Sequence, residues 1–459
     1  MYKNFKKIKR KQFNHIDYLK KKLLIIGSGF NALAAAYFLK NQDFDVKIIF
    51  ERNIKGVLGS IKIQDETFDL GYQFFDGLDQ ETEKFIRNMF NNEDLHNFKY
   101  GASTFSNNFL YEDHAIPYWL SYGKLFVIRA FLFYLKNFIK SFFLRRKKNL
   151  DNLSDLYNQI PSNIRNILSK GCEKHYQIKP HELEFVANEM STFTNFRQTL
   201  FNDILSNFFK RNSKFFDKHL ASRRKSNHSL ENISLYPKGK NMEFITDKLI
   251  QRLTNQGVIF EECNFDEIDL IPIAKQVQYK NKKFDNILVT TGLSNVQRIF
   301  KMNLEKNYEH YVSQVFIYFT LKKVNFKFQY TQVNDLNLYS SRISNCSLYS
   351  KTTKDSNNII IVEIPLTNKN KLWSDEDKLK DIAWSEIVKC GIAKQEDQYI
   401  SAKVLKIAKT FSVPKVNFFD FLNEIDLNLK NKFYGNINMI GQGIFTRHKF
   451  VKELLDKFR

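Results

Sequence analysis

Six consecutive residues, Gly27-Ser28-Gly29-Phe30-Asn31-Ala32, fit the pattern G-x-G-x-x-G/A, and a carboxylate, Glu51, lies 22 residues beyond Gly29. Those residue types at that spacing suit a dinucleotide. Gly27 allows a tight turn, Gly29 has no side chain to keep a pyrophosphate off the backbone, and Ala32 lets helix and strand lie close. A helix opening there offers free N–H groups and a positive dipole end to the phosphates. Glu51 can accept hydrogen bonds from a ribose diol and repels a 2′-phosphate, which disfavours NADP.

The surrounding elements have the right order to position these groups. Leu23–Ile26 is a short apolar run that predicts a buried parallel strand, Asn31–Lys40 is rich in Ala and Leu and predicts a helix, and Val46–Phe50 predicts a second strand. Strand, glycine turn, helix and strand make a βαβ unit with a right-handed crossover. From about 80 to 230 the chain is rich in Phe and Asn and patterned for helices. From Leu235 the alternation returns as turn, helix and strand, and Phe284–Gly292 reads as another buried strand ending at glycine. A chain of 459 residues implies two or three folding units. The expected division is a basic tail over 1–22, a discontinuous nucleotide-binding domain over 23–78, 230–300 and 425–459, and a substrate or cap domain over 79–229 and 301–424.

Composition excludes several classes. With 43% hydrophobic residues and 45 Phe, a substantial core is available and global disorder is not expected. The formal charge of +22 invites anionic partners, although Lys and Asn are used heavily along the whole chain and background bias explains the charge equally well. No specific nucleic-acid binding is expected. Cys172, Cys263, Cys346 and Cys390 are far apart, which argues against a zinc ribbon or disulfide framework and fits a reducing cytoplasm. The histidines are scattered and no metal site is expected. The basic first 22 residues lack the apolar run of a secretory signal. "PKGKN" at Pro237–Asn241 does not complete a Walker A loop, and there is no G-x-S-x-G elbow.

One segment stands apart. In Lys124–Lys148, read as a helix, Arg129, Lys136, Lys140 and Lys147 fall at i, i+7, i+11 and i+18 on one narrow stripe, and almost everything else is apolar. Charges recur too often for a spanning helix. Peripheral contact with an anionic membrane is one reading. A helix buried in the second domain with its stripe in water is the simpler one.

The residues after Glu51, "ERNIKGVLGSIKIQDETFDLGYQFF", resemble the FAD-binding amine oxidase and protoporphyrinogen oxidase superfamily. Gly56, Gly59, Ser60, Phe68, Asp69, Gly71 and Phe74 stand at that family's landmarks, with Val57 or Leu58 in place of the second glycine of a pair. "LYPKGKNMEFITDKL" resembles a second family segment, with Lys240 replacing a glycine. "QGVIFEECNFDEI" resembles the strand whose backbone holds adenine, which implies that contact for Phe265. "NINMIGQGIFTRHKF" resembles the closing strand and helix that cover the flavin; Gln442 stands where most relatives have Asp or Glu. The resemblance therefore implies FAD as cofactor and an α/β fold: a Rossmann-like FAD-binding domain of the glutathione-reductase type with an inserted α+β substrate domain. Its cofactor-binding positions here would be Gly27, Ser28, Gly29, Phe30, Asn31, Ala32, Glu51, Arg52, Gly59, Ser60, Phe265, Gly441 and Gln442. No catalytic residue is assigned.

The activity implied is flavin-dependent oxidation of a small organic substrate by hydride transfer, with the insertions covering the ring. Their Phe and Tyr suit a flat or lipid-like substrate, although aromatics at helical spacing are more often core. Two alternatives stay open. One is a flavin-dependent nucleotide-sugar mutase resembling UDP-galactopyranose mutase, in surface polysaccharide synthesis. Arg223, Arg224, Lys238, Lys240 and Arg447 are its candidate diphosphate ligands, each more readily read as a solvated charge. The other is a non-catalytic FAD-binding protein.

Overall fold

The computed structural model contains a parallel sheet of five strands: β1 (Lys22–Ile26), β2 (Asp45–Phe50), β3 (Ile259–Glu262), β4 (Asn286–Val289) and β5 (Ile437–Met439). Their spatial order is β5-β4-β1-β2-β3, so β1 is central. The structure describes residues 21–63, 66–91, 93–99, 101–112, 116–143, 150–191, 193–222, 233–302, 307–350, 357–443 and 446–458.

β1 is an unbroken buried run because both sheet faces are covered. Its side chains alternate between two cores. Leu23 and Ile25 join the core of α1 (Gly29–Lys40), α2 (Glu243–Asn255) and, from the far end of the chain, the helix Arg447–Phe458. Leu24 and Ile26 face α3 (Leu293–Ile299) and the helix Phe418–Lys432. α1 is buried on nearly every side, and its alanines, Ala32 and Ala34 to Ala36, let the neighbouring elements approach. It starts two residues earlier than its sequence pattern predicts, at the second glycine of the turn itself.

A seven-stranded sheet forms the second layer. Its order is Ser401–Pro414, Glu309–Leu321, Asn358–Pro365, Arg342–Asn345, Tyr330–Val333, Ala102–Ser106 and Phe109–Tyr111. Neighbours are antiparallel except Tyr330–Val333 beside Ala102–Ser106. Helices Lys124–Phe143, Ser162–Tyr176 and Asp203–Asn212 close round a separate core that holds Trp119, Tyr134, Leu168 and Tyr176. The chain is therefore an α/β protein with a Rossmann-like parallel sheet and inserted α+β layers.

The long helix Lys124–Phe143 buries Val127, Ala130 and Tyr134. Arg129, Lys136 and Lys140 are exposed, and Lys147 lies outside the described residues. The cations are not alone in water: Leu125, Ile128, Leu132, Leu135 and Ile139 are exposed as well.

Candidate dinucleotide site

The glycine turn joins β1 to α1 and is wedged between neighbours. Gly27 N–H donates to the Ile49 carbonyl at 3.0 Å. Gly27 has φ +149°, and a Cβ there would lie 2.2 Å from Thr290 Oγ1 at the end of β4. Gly29 N–H donates to the Ile54 carbonyl at 2.6 Å. Gly56 packs directly on it: a Cβ on Gly56 would stand 3.0 Å from Gly29 Cα, and Gly56 has φ +59°. Two glycines thus let two backbones touch. Ser28 is extended and makes no side-chain cap, and the first turn of α1 holds no acidic residue. That helix end keeps its positive dipole character for an anion.

Glu51 stands just past β2, as the βαβ pattern requires, but its carboxylate is already engaged. Arg298 of α3 donates from Nη1 to Oε2 at 2.9 Å and from Nη2 to Oε1 at 2.8 Å. The Phe265 N–H adds a bond to Oε1 at 3.2 Å. The Arg298 guanidinium holds the Glu51 carboxyl below its usual range, with the Phe265 amide helping. Arg298 also reaches Asp266, at 2.9 Å from Nε and 2.7 Å from Nη2. Arg52, exposed with φ +65°, turns the chain away from the sheet.

The distant segments singled out in the sequence meet here. Asp69 is buried; it accepts from Tyr236 Oη at 2.6 Å and from the Met242 N–H at 2.6 Å, tying "FDLG" to "LYPKGKNM". Burial pushes its carboxyl up to about 6, against the pull of those two donors. Ser60 donates to Glu243 at the start of α2, and Lys55 Nζ meets the same carboxylate at 2.5 Å. Gly59 is buried beside the Gly56 carbonyl. Gln73 Nε2 donates to the carbonyls of Val57 and Leu70, both at 2.8 Å, while its Oε1 accepts from Arg447 Nη2 at 2.5 Å.

The closing turn follows β5. Gly441 lies beside Asn31 of α1 and donates its N–H to Glu453 at 3.1 Å. Gln442 Nε2 donates to the carbonyls of Val289 and Thr291, both at 3.0 Å, and so clamps the turn to the end of β4. A carboxylate cannot donate, which is a physical reason for glutamine at this position.

The structure thus gathers Gly27–Ala32, Gly59, Gly441 and Gln442 round the opening of α1, with Glu51 and Phe265 together at the end of β2. Lys238 and Lys240 are exposed surface charges. Arg447 is partly buried, hydrogen-bonded to Gln73 and, at 3.4 Å, to the Phe74 carbonyl; desolvation pushes its guanidinium down to about 10. Arg223, Arg224 and Phe445 lie outside the described residues.

Two arginines were not among the sequence-derived site residues. Arg298 had one weak signal, its place a turn and a half into the helix after a glycine-ended strand. Arg342 had none. It bonds Glu363 at 3.0 and 2.7 Å and sits over the rings of Tyr72 and Tyr330.

These features fit a dinucleotide: a cradle that a Cβ would fill, an uncapped helix end, and a carboxylate at the tip of β2. A separate cavity of about 950 Å³, lined in part by Lys174, Gln177, His310 and Lys415, lies at one end of the seven-stranded sheet and includes none of the glycine-turn residues. Among the described residues no cluster could hold a metal ion, and no helix is long and apolar enough to cross a membrane.

Residues 25–92 match the family model described as NAD(P)-binding Rossmann-like domain. No curated protein matches the chain by sequence. Solved structures share its whole fold. Reduced UDP-galactopyranose mutase superposes with a TM-score of 0.67 at 14% identity, covering 95% of this chain and 94% of its own. Wild-type putrescine oxidase bound to putrescine gives 0.59 at 10% identity, covering 96% and 98%. A protein provisionally classed as a protoporphyrinogen oxidase, from Exiguobacterium sp. 255-15, gives 0.58 at 12%, covering 95% and 97%. Residues 25–92 are therefore similar to the NAD(P)-binding Rossmann-like domain, and the chain as a whole has the fold seen in UDP-galactopyranose mutase and putrescine oxidase.

Proposed function

We propose that this chain binds FAD at the glycine turn and acts as an FAD-dependent oxidoreductase on a small organic substrate. One observation carries the reading: the β1–α1 turn, the Gly56 loop and the closing turn at Gly441 converge on the uncapped end of α1. A simple dehydrogenase has no need of a closing strand from the far end of the chain, whereas a flavin buried between two layers does. FAD, when bound, supplies the hydride acceptor.

The chain's own residues supply the rest. The start of α1 receives the pyrophosphate. Glu51 receives the adenosine ribose once the Arg298 fork opens, and the backbone at Phe265 lies beside it for the base. Gln442 fixes the closing turn. Tyr330 and Tyr349, with ring centroids 4.9 and 5.6 Å from Tyr72, form an aromatic cluster beside Arg342, whose guanidinium lies over Tyr72 and Tyr330.

The purified protein is expected to show flavin absorbance in the visible, or to acquire it on adding FAD. A colourless protein that takes up no FAD overturns the proposal. Glu51→Arg is expected to weaken FAD binding about ten-fold, roughly the loss of one charge-assisted contact to the ribose.

Arg447 favours a second reading. It is a partly buried guanidinium whose hydrogen bonds go to neutral oxygens, Gln73 Oε1 and the Phe74 carbonyl, with the carboxylates of Asp76 and Asp69 nearby. Such a group is suited to an anion, for example a nucleotide-sugar diphosphate. If FAD-loaded protein rearranges a sugar ring only after anaerobic reduction, and consumes no oxidant, the mutase reading holds; substrate-driven reduction of oxygen or a quinone supports the oxidoreductase.

A further inference from the structure

The exposed side of the helix Lys124–Phe143 is built in two parallel lines. With about 100° per residue, Leu125, Ile128, Leu132, Leu135 and Ile139 fall within an arc of about 80°. They are between 36% and 72% exposed. Arg129, Lys136 and Lys140 occupy the next arc, about 40° wide, along one edge of that stripe. Val127, Ala130 and Tyr134 lie on the opposite side, buried in the domain core. The helix is therefore fixed to the protein by one apolar face and shows a second apolar face to solvent.

Phe131 borders the stripe on its other edge and packs against Phe201 and Phe209, at 5.2 and 5.3 Å. Phe209 belongs to the helix Asp203–Asn212, which itself exposes Ile204 at 84% and Phe208 at 60%. Apolar exposure on this scale, on two neighbouring helices, marks an interaction surface rather than scattered surface residues.

We propose that this surface seats the protein on an anionic lipid bilayer, with the aliphatic stripe entering the acyl boundary and the cations meeting phosphates. Charge selects this occupant. Residues 124–143 contain no Asp or Glu, and the chain as a whole carries +22, so a second copy of the chain would bring like charge to the same line. The stripe from Leu125 to Ile139 is straight and roughly 21 Å long, at 1.5 Å per residue. A straight stripe edged by cations matches a helix lying in the plane of an interface. It is too charged to span one.

The test sediments the full-length protein with vesicles of phosphatidylcholine and, separately, of an equal mixture with phosphatidylglycerol. Binding is expected to the mixed vesicles and to weaken as salt rises. The triple variant Arg129→Gln/Lys136→Gln/Lys140→Gln is expected to lose about five-fold per cation removed, roughly two orders of magnitude in all. Ile128→Asp/Leu132→Asp is expected to abolish binding. Should that variant fold poorly, Leu132→Trp keeps the stripe apolar, and its emission is expected to shift to the blue on mixed vesicles. Binding by the aspartate variant equal to that of the parent, or an unshifted tryptophan, overturns the proposal. So does failure of the parent to bind either vesicle, including the case where Leu132→Asp instead dissociates an oligomer in solution.

Discussion

Arg298 closes a fork on Glu51, one nitrogen on each carboxylate oxygen, at 2.9 and 2.8 Å. A carboxylate has about four lone-pair sites, and the Phe265 amide takes a third. A ribose diol needs two, so in the proposed FAD complex at least one arginine bond would have to open before the nucleotide is fully held. Glu51 is thus bound to an internal competitor. A partly exposed pair of this kind contributes about 0.2–1 kcal/mol. Arg298→Gln is expected to tighten FAD binding by roughly two- to five-fold, read from fluorescence quenching of the flavin. Weaker binding in that variant would mean that Arg298 orients Glu51 rather than competing for it.

Gly27→Ala places a methyl 2.2 Å from Thr290 Oγ1, in a backbone region unsuited to a side chain. The expected loss is about 1–3 kcal/mol in denaturant unfolding. Thr290→Ala removes the hydroxyl but leaves the Thr291 amide nitrogen 3.2 Å away. Partial rescue in the double variant, measured as a mutant cycle, is the expected sign of this contact.

Gln442→Glu restores the acid found in most of the resembled family, yet it is expected to destabilise this chain. The carboxylate would face the Val289 and Thr291 carbonyls with nothing to donate. A loss of about 1–3 kcal/mol is expected at neutral pH, smaller at acid pH where the protonated side chain can donate once. Equal stability of the two proteins at pH 7 would show that the glutamine clamp contributes nothing.

Asp69 makes stability depend on pH in an unusual direction. Burial raises its folded pKa from 3.8 to about 6, so between those values the folded protein binds more protons than the unfolded chain. Its contribution is fully present below pH 3.8 and is lost as pH rises through about 6. Asp69→Asn removes that dependence, and its amide also sets a donor against Tyr236 or Met242. The stability difference between parent and variant is therefore expected to shrink as pH rises from about 4 to 7, by up to about 3 kcal/mol. Parallel pH profiles would show that Asp69 does not titrate in this range.

The glycine turn and the place of Glu51 past β2 were legible in the sequence because their requirements are local. Gly27, Gly29 and Ala32 sit in one turn, and Glu51 is set by the length of a single βαβ unit. The longer landmarks, "FDLG", "YPKGK" and "GQGIF", gave the order of the segments but not their partners. That Asp69 would bond Tyr236 and Met242, or Gln442 the end of β4, depends on tertiary placement of residues more than 150 apart. Arg298 had only a weak signal for the same reason: its carboxylate partner is 247 residues away. The helix Lys124–Phe143 was read through its charges, whereas its exposed aliphatic stripe appeared only once the core had claimed the opposite face.

The place of β5 in the sheet has a consequence for the birth of the protein. β4 is flanked on one side by β1 and on the other by Ile437–Met439, which is made more than 400 residues after β1. Until those residues leave the ribosome, the outer edge of β4 has unpaired backbone groups, the Gln442 clamp is missing, and Gly441 is not in place beside Asn31 of α1. A nascent chain can assemble the first βαβ unit but not the finished cradle. Assembly of the full turn cluster therefore waits for Ile437–Gln442, and a chain that stops short of Ile437 has an open sheet edge at β4 and lacks the Gln442 clamp.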